Sequence, residues 1–129
     1  MSDKVTDSIL KSIRDAIGLP EEDSSFDVDL LMHINTYLGT LTQVGTGDPS
    51  VIVSDDSTTW EQFLLPEMNT PSIFQAAKTY VLINTKMAFD PPTPTSQQYM
   101  KQASDEILWR LTIAENEVIR RKEEDLDGG

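Results

Sequence analysis

The chain has 129 residues, 38% of them hydrophobic and 25% charged, which is the composition of one globular domain with a single modest core. Ten Lys and Arg stand against 22 Asp and Glu, a formal net charge of -12 that works against direct binding to phosphate backbones or anionic membrane surfaces. Cysteine is absent, which removes disulfides, thiolate metal sites and cysteine nucleophiles.

The N-terminal segment has no continuous apolar stretch of the signal-peptide kind, and no apolar run approaches the roughly 20 residues that cross a bilayer. A soluble, unexported protein is expected. Val5, Ile9, Ile13, Ala16 and Ile17 recur at spacings of three and four, the signature of an amphipathic helix. Asp3 is its expected cap, and Gly18 with Pro20 stops it.

After the acidic spacer PEEDSS, Leu30, Leu31, Ile34, Tyr37, Leu38, Leu41 and Val44 form one face of a second helix. Asp27 or Ser25 is the expected N-cap, and Gly45 and Gly47 end the helix. Gly39 lies inside it at a cost of about 1 kcal/mol relative to Ala, which points to a close approach by another backbone or side chain. The segment from Gly45 to Thr58 is long and turn-rich, a plausible contact region for a partner. Within it, Val51 to Val53 reads as a short extended stretch with no second strand to pair with.

Thr58-x-x-Glu61 has the spacing of a capping box and opens a short helix carrying Trp60, Phe63 and Leu64, ended by Pro66. Thr70 and Pro71 then read as N-cap and first helical position of a helix over 72–89. Ile73, Phe74, Ala77, Tyr80, Val81, Asn84, Met87 and Ala88 form its main stripe, and Leu82 and Ile83 widen it nearly all round, as in a central helix. Asp90, Pro91, Pro92 and Pro94 make a stiff corner, because Pro91 forces Asp90 out of helical geometry and consecutive prolines hold the chain extended. A second capping box, Thr95-x-x-Gln98, is expected to launch a long last helix that packs back on the central one.

That helix carries two stripes. Tyr99, Met100, Ala103, Ile107, Leu111, Ala114 and Val118 face the core, whereas Trp109 and Ile113 point roughly the opposite way. Such a patch is either covered by the first helix or offered to another chain. Arg120, Arg121 and Lys122 form the one basic run, suited to the negative end of a helix dipole near its terminus. The fold class is therefore mostly α: a bundle of about four to five helices, with one domain over 1–122 and an acidic, flexible tail over 123–129.

The sequence holds no catalytic constellation. His33 is the only histidine and sits off the apolar stripe of its helix, beside residues that bind no metal. The segment DSSFDVD lacks both the central Gly and the closing Glu of a Ca²⁺ loop, so its acids, like the pair Asp55 and Asp56, read as solvated charge. No cofactor, metal or small-molecule substrate is expected.

The order MHIN at 32–35, KTYVLINTKMAFDPP at 78–92 and EILWRL at 106–111, preceded by IGLPEED and interrupted by STTWEQFL, resembles the head-tail connector (head completion, or adaptor) proteins of tailed phages from Ser8 to Ile113. The resemblance implies a dodecameric ring that assembles on the portal protein after DNA packaging, in the neck of the virion, once the parts have been made in the host cytoplasm. Such a ring extends the DNA channel without binding DNA specifically and gives the stopper or tail protein a docking surface. It implies no catalytic residues and maps portal docking onto the stretch from Ala114 to Gly129. Trp109, Ile113, Arg120, Arg121 and Lys122 are the candidate interface residues. A rival reading is an acidic DNA mimic that inhibits a DNA-binding protein.

Overall fold

A computed structural model of the chain describes residues 8–20 and 22–128. Five α-helices follow in order: α1 (Ile9–Ile17), α2 (Asp27–Gln43), α3 (Trp60–Phe63), α4 (Pro71–Phe89) and α5 (Pro94–Gly128), with a 3-10 turn at Pro66–Met68 and no strand among the described residues. The mostly α bundle expected from the periodicities is the observed fold. Helix α4 is its centre, packed against α1, α2 and α5.

Ser8 caps α1, its Oγ accepting from the Lys11 N–H at 3.2 Å. Asp3 and Val5 lie outside the described residues. The helix closes at Gly18, whose φ of 95° permits the left-handed turn that returns its N–H to the Arg14 and Asp15 carbonyls. Ile9 and Ile13 are fully buried beneath Trp60, whose Nε1–H donates to Ser12 Oγ at 3.0 Å.

The start of α2 corrects the expected cap. Phe26 occupies the cap position with no side-chain bond, because Asp27 is engaged elsewhere: its carboxylate receives the Arg14 guanidinium at 2.9 and 3.2 Å. Arg14 is 8% exposed and also donates to the carbonyls of Pro20 and Asp23, so one buried cation ties α1, the connecting loop and α2 together. Ser25, the other expected cap, instead turns its hydroxyl onto Asp23.

The 51–53 stretch is extended without being a strand. Val53 is buried, and Asn35 of α2 does the pairing: its Nδ2 donates to the Val53 carbonyl at 2.8 Å, and its Oδ1 accepts the Val53 N–H at 2.9 Å. The short helix α3 begins one residue later than the Thr58 box predicts. Thr59 and Gln62 form the capping box, because the Thr58 carbonyl is already taken by the Ile9 N–H. Trp60 and Phe63 are buried from this single turn. Gly47 lies against the Phe63 ring, where a Cβ would fall 2.0 Å from Cζ.

Thr70 caps α4 and Pro71 opens it, as expected. The proline corner is also present, but its second half works differently. Thr93, not Thr95, starts α5: its Oγ1 accepts the Ser96 N–H and its carbonyl accepts the Gln97 N–H, with Pro94 at the first helical position. Asn84 of α4 and the buried Ser104 of α5 share a hydrogen bond of 2.8 Å, which fixes the register of the two helices after the corner. Leu111 is the fully buried anchor of α5. Tyr99, assigned to the core stripe, is 68% exposed, since it lies in the first turns beside the corner, before the helix reaches the core.

Helix α5 runs on to Gly128, so the boundary expected at 122 is not marked by a break in the helix. The expected dipole role of Arg120, Arg121 and Lys122 is corrected by the same observation. They stand more than a turn from the helix end, beyond the short reach of the terminal partial charge.

Candidate docking surfaces

The outward face of α5 is built by simple helical arithmetic. Leu111 and Ser104 are buried on one side, and positions 109 and 113, one turn apart, fall on the other. Trp109 is 63% exposed and Ile113 41%. The alternative cover, α1, packs on α4 and α2 and leaves this face open. A salt bridge between Arg110 and Glu106 at 3.0 Å borders the patch on one side, and Arg120 with Glu117 at 3.0 Å borders it on the other.

The basic run is engaged within the chain. Arg120 and Arg121 both approach Glu117, and Lys122 Nζ reaches Glu67 at 3.1 Å, which ties the far part of α5 to the 3-10 turn. All of these pairs are exposed and worth little, about 0–1 kcal/mol each, so a partner carboxylate can replace them at low cost. The corner residues Asp90, Pro91 and Pro94 are exposed and Pro92 is half-buried.

A second outward apolar face belongs to α2. Val28 is 72% exposed and Met32 65%, one turn apart and opposite the buried Leu30, Ile34, Leu38 and Leu41. Sequence reading passed over it, although the i, i+4 logic that isolates Trp109 and Ile113 also isolates this pair. Gly39 lies on the same face, and here the sequence expectation is corrected within the chain: nothing approaches within 4 Å of the position its Cβ would take. A groove of about 400 Å³ between α4 and α5 adds a third open feature, lined by residues including Ile73, Ala76, Leu111 and Ala114 with Arg110 at its rim.

Three acids have local work, and two of them, Asp23 and Asp55, are among those that read as solvated charge. Asp23, Asp48 and Asp55 each accept from the backbone N–H and hydroxyl of the serine two residues on, forming three Asx-turns. These bonds to serine hold all three carboxyls below the ordinary 3.8. His33 is half-buried on α2. Among the described residues no group of three or more His, Asp or Glu is placed to hold a metal, and no helix is long and apolar enough to cross a membrane.

The molecule is a helical body with two outward apolar faces, one on α2 and one on α5. Residues 9–118 match the family model of the phage connector proteins, and the chain belongs to that family. The family is a structural one, so the chain is a connector component of the phage particle. No curated protein and no solved structure matches the chain.

Proposed function

We propose that copies of this connector close into a ring beneath the portal protein, in the neck between head and tail. The ring prolongs the DNA channel and presents a docking surface to the stopper or tail protein. The observation that carries this reading is Trp109: a large aromatic residue, 63% exposed, on a helix whose core face is complete without it. Cyclic closure needs heterologous contacts, in which one face of a subunit meets a different face of its neighbour, and the Trp109–Ile113 patch supplies one of the two.

Charge suits the same role. Subunits of net charge -12 give a ring an electronegative lumen, past which DNA slides without sticking. Arg120, Arg121 and Lys122, on the part of α5 beyond the core, are the cations available to an acidic surface of the portal, and the corner at Asp90, Pro91, Pro92 and Pro94 sets the angle at which they are offered. DNA mimicry explains the charge as well, but gives the Trp109 face no task. It predicts a monomer or dimer that competes with DNA for a DNA-binding protein.

Negative-stain microscopy of the protein alone and mixed with its phage's portal tests the reading, with rings expected on portal. Trp109→Ala leaves helicity intact and weakens ring formation. A cooperative loss of fold in this variant would mean that Trp109 serves the core instead.

A further inference from the structure

Gly39 poses a problem that the isolated chain does not answer. It sits in the interior of a 17-residue helix, where glycine weakens the helix relative to alanine. Its φ is not positive, so the backbone does not need it, and a Cβ there would meet open space, so packing within the chain does not need it either. A bare stretch of helix backbone that nothing in the molecule uses is explained by something outside the molecule lying on it.

The surroundings say what that is. Exposed positions on α2 are Val28, Asp29, Met32, Thr36, Gly39 and Gln43, of which only Asp29 is charged. In a chain of net charge -12, two copies approach most easily through surfaces free of excess acid. The α5 patch comes close to that condition: Glu106 pairs with Arg110 and Glu117 with Arg120, and Asp105, a turn before Trp109, is the one further acid beside it. Both faces turn away from α4, and they are different faces of one molecule, as a head-to-tail contact requires.

We propose that Trp109 of one copy lies across Gly39 of the next, with Ile113, one turn along, against Thr36 on the side toward Met32. A flat indole needs a place where no side chain stands up, and Gly39 provides it. Met32, unbranched and polarizable, adapts to the ring edge. The inference rests on the ring reading above and supplies the second of its two faces.

Gly39→Ala separates this contact from an ordinary surface glycine. It is expected to raise the thermal midpoint by roughly 4 °C, as a helix-interior alanine should, while self-association, followed by sedimentation of the full chain alone and on portal, weakens about tenfold or more. A higher midpoint with unchanged association would overturn the proposal. Because the chain has no cysteine, Thr36→Cys and Glu106→Cys can be mixed as single variants and treated with a short bis-maleimide. Expected are dimers joining one variant to the other, with few from either alone. Thr36→Cys linking mainly to itself, or no mixed product alone or on portal, would overturn it. Rings on portal that survive Gly39→Ala sink this contact and leave the ring reading standing; cross-linked chains that never bind portal do the reverse.

Discussion

Asn35 performs with one side chain what a neighbouring strand performs in a sheet. Its amide donates to the Val53 carbonyl and accepts from the Val53 N–H, so a buried residue in a loop keeps both backbone groups satisfied. Asn35→Ala strands both inside the fold and is expected to cost about 2 kcal/mol, read as a lower urea midpoint. Asn35→Asp keeps an acceptor for the N–H but sets a carboxylate against the carbonyl, and should not rescue the loss. The β-branched run at 51–53 was legible as extended. Its partner was not, because an amide 18 positions away leaves no periodic trace. Arg14 is a similar case: its bonds to Asp27 and two loop carbonyls decide how α2 begins, and only the fold brings them together.

At the level of the helices, apolar spacing located α1, α2, α4 and α5 and a capping-box spacing located α3, whereas the 3-10 turn at Pro66–Met68 left no such trace and the ends were decided by competition between nearby polar groups. Thr-Pro at 70–71 was read correctly as cap and first turn, and the same pair at 93–94 was overlooked in favour of a capping-box spacing that the chain does not use. The proline settles the matter, since its fixed φ and missing N–H fit the first helical position that a Thr93 cap gives it, whereas a Thr95 cap would leave it outside the helix. Thr93→Ala should therefore lower stability by about 1 kcal/mol while Thr95→Ala stays within about 0.5 kcal/mol of the parent, measured by denaturant unfolding. The outward face of α5 was visible in the sequence because Trp109 and Ile113 fall outside a complete core stripe. The α2 face was hidden because Val28 and Met32 are interleaved with Leu30, Leu31 and Ile34 in a run that is apolar apart from Asp29 and His33.

For the molecule as a whole, strong acid reaches the fold through its turns. The serine bonds that hold the Asp23, Asp48 and Asp55 carboxyls below 3.8 belong to the ionised form. Their contribution is complete above that value and is lost as pH falls through the lower folded-state values. The Ser25, Ser50 and Ser57 amide resonances should accordingly hold steady from neutral pH to about 5 and move only below about 4. Movement centred at the ordinary 3.8 rather than below it would show that the serine bonds do not hold these carboxylates in solution.

The length of α5 has a consequence for aim. Its 35 residues make a rod of about 52 Å against about 28 Å for the 19 residues of α4, so its last turns overhang the body like a pointer. Along such a lever a tilt of about 5° at the hinge sweeps the tip through roughly 4 Å, more than the width of a hydrogen bond. Two adjacent prolines at the hinge hold that swing down, so a neighbouring component can find the tip where it expects it.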